Sequence, residues 1–188
     1  MSYQAVSFSF QEIPSASKMN QLGQNDASFN DSTGINLQYN NLAGLSNPYK
    51  FHAYATATQN LLSSIQLVVF ESEVFDTNNN YSTSTGKYTA PINGFYFFQA
   101  KDYVNNLADQ QEAGIHLYKN GASVINQPAH ASGTWDVRPQ VSLLMQLTAG
   151  DYIQVAVSNT MGTRDHLGFT ATGLTTSFFF AGFLVSKT

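Results

Sequence analysis

The chain has 188 residues, a net charge of −4 and 11% charged side chains, against roughly 25% in ordinary soluble domains. With 43% hydrophobic residues it can bury one sizeable core, which excludes disorder throughout. Its 8 Lys and Arg form no cluster and offer little to a phosphate backbone, which excludes nucleic acid as a partner.

The first residues, MSYQAVSFSFQEIPS, lack a basic start followed by an apolar stretch, so no signal peptide is expected. The longest apolar run, SFFFAGFLV, is nine residues long, too short to insert across a bilayer. The protein is expected to stay in the cytosol where it is made, or to leave by a route other than secretion. Without cysteine there is no disulfide framework and no thiolate metal site. Residues 1–47 are rich in Asn, Gln and Ser and read as an arm. Within it, Val6, Phe8 and Phe10 alternate as one short strand. Ser15 or Ser17 could cap a short helix carrying Met19, Leu22 and Phe29, which Gly23 weakens. Pro48 marks a boundary, leaving 48–188 as the main domain.

From Tyr49 onward the pattern is β. Candidate strands are FHAYATATQ, SSIQLVVFES, GKYTAP, GFYFFQAKDYVN, AGIHLYKNG, WDVRPQVSLLMQL, DYIQVAVSN and TSFFFAGFLVS. They are rich in Phe, Tyr, Val and Ile and are bounded by turn residues. Ile153, Val155 and Val157 alternate cleanly, which predicts one buried and one wet face. Many short strands at this spacing, with no long helix between them, predict an all-β, two-sheet antiparallel jelly-roll sandwich.

The sharpest pattern runs through Phe70, Asp76, Tyr81, Tyr88, Gly94, Tyr96 and Phe98. Asn93 and Gly94 turn the chain into GFYFF, with Tyr96 and Phe98 on one face. Asp76, followed by Thr77 and three asparagines, suits a loop entered through a side-chain-to-backbone hydrogen bond. These spacings, with LYKNG at 117–121, LLMQLTAGDYIQVAV at 143–157 and SFFFAGFLVS at 177–186, resemble the C1q globular-head domain of the C1q and tumour necrosis factor superfamily. The departures are Tyr88 where Phe is usual, Ala100 where an aromatic is usual, and the missing cysteines. The resemblance implies a compact homotrimer. Composition adds its own reason for assembly: 14 Phe and 10 Tyr are more aromatics than one sandwich easily hides. Tyr96, Phe98, Phe178, Phe179, Phe180 and Phe183 are the candidate core and trimer aromatics. The consecutive Phe178, Phe179 and Phe180 project from both faces of a strand, so one face needs a partner subunit or intramolecular cover.

Chemistry is sparse. None of His52, His116, His130 and His166 has a metal-ligand spacing, and neither a nucleophile elbow nor a phosphate loop occurs, so no catalytic site is expected. His116 reads as a packed or hydrogen-bonded strand residue. His166 reads as a loop residue, solvated or touching a ligand. Some members of the resembled family bind calcium. Glu71, Glu73 and Asp76 could be relieved by such a cation, with Asn78 or Asn79 adding oxygen ligands; the alternative is a solvated strand end. Asp102, Asp109 and Glu112 form a second loose group with the same two readings. In HASGTWDVRPQ, Trp135 with Asp136 and Arg138 could stack on a sugar or anchor a protein contact, or Trp135 could lie half-buried at a strand start.

The segment IPSASKMNQLGQND resembles short segments of bacteriophage structural and tail-fibre proteins. Together with the absent cysteines and the neutral surface, it leads to an expected virion role. A non-enzymatic trimeric head would then attach to a larger assembly through residues 1–47 and act by display and adhesion. The alternative is a free-standing recognition protein for a carbohydrate or protein ligand.

Overall fold

The computed structural model describes residues 47–61, 64–160 and 162–188. The expected strand near Phe8 and the helix near Met19 lie outside these residues, as does the arm except for Asn47. Residues Pro48–Thr188 form one compact unit.

Period-two alternation decides which face each strand buries. The clearest case is β7 (Gly94–Lys101), where Tyr96, Phe98 and Ala100 point inward while Phe95, Phe97, Gln99 and Lys101 alternate outward. Strand β7 sits in a five-stranded antiparallel sheet between β12 (Gln140–Leu147) and β15 (Phe179–Lys187), followed by β1 (Lys50–Tyr54) and β4 (Ser72–Asp76). Facing it is a six-stranded sheet. Its main path runs through β10 (Ala122–His130), β9 (Glu112–Lys119), β13 (Tyr152–Asn159), β6 (Lys87–Thr89) and β5 (Tyr81–Ser82), and β3 (Gln66–Leu67) also pairs with β13.

Between the sheets lies one aromatic core. The Phe51 ring stacks on Tyr88 at 4.6 Å and meets Phe180 edge-on at 4.8 Å, and Ile115, Leu117, Ile153 and Val155 close the opposite side. This is the expected all-β sandwich. The spacing pattern read in the sequence converges here: Phe70, Tyr81, Tyr88, Tyr96 and Phe98 are all buried in this core. The Tyr81 hydroxyl donates to Phe70 O at 3.1 Å and accepts from Phe70 N at 3.0 Å. Asp76 accepts from Tyr81 N at 2.7 Å and from Asn78 N at 3.2 Å, as a loop-entry residue should. The Tyr88 hydroxyl is buried without a hydrogen-bond partner.

Several expectations need correction. The wet face expected of β13 is buried too, because Gln154 donates to Thr85 O at 3.0 Å and Ala156 is covered beside His116. Strand β10 had no apolar alternation to reveal it. It is an exposed edge strand, where Pro128 costs no interior ladder bond. GFYFFQAKDYVN and WDVRPQVSLLMQL are each broken in two. The first splits into β7 and β8 (Val104–Leu107), the second into β11 (Trp135–Val137) and β12. The breaks lie opposite each other, where Asp102 N donates to Pro139 O at 3.0 Å. Past them β8 and β11 enter a third, four-stranded sheet in the order β11, β8, β14 (Arg164–His166), β2 (Gln59–Leu61). A second small core of Val104, Leu107, Ala113, Ala131 and Val137 lies there. A single helical turn, α1 (Phe169–Thr172), follows β14.

Candidate functional site

The paired breaks in β7–β8 and β11–β12 bring a set of polar side chains together. At the first break the side chains of Lys101, Asp102 and Tyr103 no longer follow one sheet. Asp102 turns inward and is fully buried, where its Oδ2 accepts from His166 Nδ1 at 2.7 Å. Its Oδ1 accepts from Tyr103 N at 2.7 Å. His166 is equally buried, packed 5.8 Å from the Phe178 ring. Both residues therefore depart from expectation. His166 is a buried strand residue rather than a loop residue, and Asp102 is not part of a solvated acidic group. Asp109 of that group instead accepts from Gly133 N at 2.7 Å, and Glu112 lies 3.0 Å from His130.

An Asp–His pair invites comparison with a catalytic dyad. Here the second ring nitrogen, His166 Nε2, is buried with no hydrogen-bond partner, so no hydroxyl stands where a nucleophile would have to be. The pair is a structural bracket: it ties the break after β7 to β14, and Leu167 N adds a bond to Tyr103 O at 2.8 Å.

Above the bracket lies a cleft of about 510 Å³. Its lining combines Lys101, Tyr103 and Arg138 with the apolar Leu167, Ala171 and Leu174 and with Thr172 and Ser177. The Arg138 guanidinium lies over the Tyr103 ring at 4.2 Å, and the Tyr103 hydroxyl donates to Asp136 Oδ2 at 2.9 Å. Asp136 Oδ1 also accepts from Asn106 N at 3.1 Å, which fixes the loop carrying it. Both residues singled out beside the only tryptophan thus hold Tyr103 between them. Trp135 itself does not join the cleft. It is 68% exposed at the start of β11, beside Gly133, so it is not the half-buried residue of the alternative reading.

The histidine expectation at 116 agrees with its placement: His116 is 6% exposed and its Nε2 lies 3.0 Å from Ser158 Oγ. Burial pushes its pKa down, and Glu112 offsets this only partly. His52 is likewise pushed down by burial, against a weaker opposing bond to Thr175 O at 3.3 Å.

Of the three carboxylates considered for a cation, Glu71 and Asp76 hold backbone and side-chain donors. Burial pushes Glu71 up, but bonds donated by the Thr56 hydroxyl, Thr56 N and Ala57 N outweigh it and hold the carboxyl below its ordinary range. Glu73 stands apart, raised by slight burial and by the Asp76 charge. Among the described residues no three His, Asp or Glu converge as a metal site.

The remaining aromatics divide cleanly. Tyr96, Phe98, Phe178 and Phe180 belong to the core. Phe179 points the other way but is covered intramolecularly, with the His52 ring 5.1 Å away. Phe183 is 42% exposed. It lies directly beside Phe97 of β7, which in turn faces Leu144 of β12. With Phe95, Phe75 and Val185, also exposed, they make an apolar outer face on the five-stranded sheet.

The fold agrees with what the chain is similar to. The globular domain of zebrafish complement 1qA protein superposes with a TM-score of 0.58 at 17% identity, covering 74% of this chain and 99% of that one. An Eiger TNF structure from S. frugiperda gives 0.57 at 12% identity, covering 74% and 94%. At such identities these likenesses show the fold alone. In sequence, the chain is 28% identical over 139 residues to mouse complement C1q tumor necrosis factor-related protein 1, covering 72% of this chain and 47% of that protein. It is 27% identical over 122 residues to human complement C1q tumor necrosis factor-related protein 3, covering 64% and 45%. The chain spans less than half the length of these relatives. No helix among the described residues is long and apolar enough to cross a membrane. The family model for the C1q domain matches residues 50–185, and the chain belongs to the C1q-domain family.

Proposed function

We propose that the chain is a non-enzymatic recognition module that assembles as a homotrimer through the outer face of its five-stranded sheet. The observation that carries this is the cross-strand row Leu144, Phe97 and Phe183, flanked by Phe95, Phe75 and Val185. Scattered apolar side chains are normal on a surface, but a contiguous aromatic row on one sheet face calls for cover. Burying it in a second and third copy removes it from water, and a head-to-tail contact repeated by a threefold rotation closes into a ring. Three copies then multiply weak individual contacts. The ligand-facing candidates are Trp135 and the cleft held by Arg138, Tyr103 and Asp136.

The virion reading of residues 1–47 draws no support from the relatives named above, which are animal proteins. The free-standing recognition module is therefore the preferred reading.

Light scattering at several concentrations tests the assembly. A species at three times 20.6 kDa is expected, and Phe183→Asp should return it to one copy. A wild-type protein that stays at 20.6 kDa at every concentration overturns the trimer.

A further inference from the structure

We infer that the cleft between Lys101, Arg138 and Leu174 is a binding site for a small amphiphilic acid: one carboxylate or phosphate head on a compact apolar body. This deepens the recognition reading and rests on it, but not on the trimer.

Charge comes first. The whole sequence has 8 Lys and Arg, and two of them, Lys101 and Arg138, share this one cleft. Neither makes an ion pair with any described residue. Lys119, by contrast, is paired 2.9 Å from Asp151, while Lys87, like Arg138, lies over an aromatic ring, that of Tyr152 at 4.0 Å. The nearest carboxylates are committed elsewhere, Asp136 to Tyr103 and Asn106, and Asp102 to His166 and the Tyr103 backbone. Asp136 keeps its charge, but neither cation is paired to it, and two such cations in a concave, partly apolar setting favour an anion.

Geometry comes second. A guanidinium carbon 4.2 Å over a ring centroid is attracted to the ring's negative face, and a guanidinium so anchored can grip a planar or tetrahedral oxyanion through two N–H bonds. Tyr103 is itself held, by the Asp136 bond at its hydroxyl and by the buried bracket beneath its backbone. Arg138 therefore rests on a fixed platform, so less freedom is lost on binding. The lining residues Leu167, Ala171 and Leu174 offer no charge. The lining hydroxyl Thr172 Oγ1 is occupied by Ser177 Oγ at 2.8 Å and by Leu174 N at 3.2 Å. The ligand body that matches these three residues is apolar.

Size excludes a polymer. About 510 Å³ holds a molecule of one or two rings, and two cations without a continuing basic stripe cannot track a polyanion.

The test is ligand-observed NMR titration of the full chain with benzoate, phenyl phosphate, benzyl alcohol and acetate. Benzoate or phenyl phosphate should saturate, benzyl alcohol and acetate should bind at least about tenfold more weakly, and added salt should weaken the acid. Arg138→Gln and Lys101→Gln should each weaken binding by about tenfold, and Lys87→Gln should leave it unchanged. Both cleft residues are at least partly exposed, so the variants are expected to fold, which circular dichroism verifies. Failure of both acids to bind, equal binding of acid and alcohol, or wild-type affinity in both cleft variants overturns the site. Because these readouts do not depend on molecular mass, failure here is distinguishable from failure of the trimer.

Discussion

His166 Nδ1 donates to Asp102 Oδ2 at 2.7 Å, and neither side chain has exposed surface. The bond joins the end of β7 to β14, so it couples the five-stranded sheet to the third sheet and supports the floor of the cleft. Asp102→Ala leaves the Nδ1 donor as unpartnered as Nε2 already is. A loss of about 3–5 kcal/mol is expected, the range for breaking one side of a buried pair. A double Asp102→Leu, His166→Phe variant should recover part of it, because it removes the buried polar groups together. Urea unfolding reads both, and a single-variant loss below about 1 kcal/mol would show that the bracket carries no weight.

Two tyrosines in the same core should respond in opposite ways to loss of a hydroxyl. Tyr81 exchanges two bonds with the Phe70 backbone, so Tyr81→Phe strands a buried N–H and C=O and should cost about 1–3 kcal/mol. Tyr88 has no partner, so Tyr88→Phe should be neutral or stabilising by up to about 1 kcal/mol. Equal losses in the two variants would contradict the hydrogen-bond assignment.

Gly94 opens β7 against β15. A Cβ there would stand 2.6 Å from Ser186 O, which is backbone and cannot swing aside, and 2.6 Å from Leu184 Cδ1. Gly94→Ala should lower stability by about 1–3 kcal/mol. An unchanged thermal midpoint would mean that the two strands can separate freely.

Stability should fall as the solution is acidified through the histidine range. Burial lowers the pKa of both His52 and His116 below 6.5 in the folded chain, so the unfolded chain takes up protons first as pH drops. The stabilisation is fully present above about 6.5 and is lost progressively below it. Urea midpoints at about pH 7.5 and about pH 5.5 should differ in that direction, and the paired His52→Gln, His116→Gln variant should reduce the difference. A midpoint that rises on acidification would reverse the sign of these shifts.

The sandwich was legible because its determinants are local and repeated. Alternation in GFYFFQA, and aromatics at the spacing of Phe70, Tyr81, Tyr88, Tyr96 and Phe98, specify which faces meet. The cleft was legible only in part. Arg138 and Asp136 were singled out through their tryptophan neighbour, yet Trp135 stays outside and Tyr103 is the residue they share. Lys101, Tyr103 and the Asp102–His166 bracket were missed, since 64 residues separate the partners and no local pattern encodes their meeting. A signal did exist: Lys-Asp-Tyr interrupts an otherwise clean apolar alternation, and Arg-Pro interrupts the strand that pairs with it. Strand β10 was hidden for the opposite reason: only Ile125 and Ala129 of its nine residues pack against a core, too few to write an alternation into sequence.

That exposed strand also bears on how copies of the chain can meet. Pro128 removes one amide donor from β10, β5 is only two residues long, and β4 carries an irregular register beside Val74. Three of the four borders of the sandwich are therefore poor templates for an added strand. Open-ended polymerisation, strand upon strand, has little to grow from, whereas the aromatic face at Phe97 and Phe183 remains available to a closed ring.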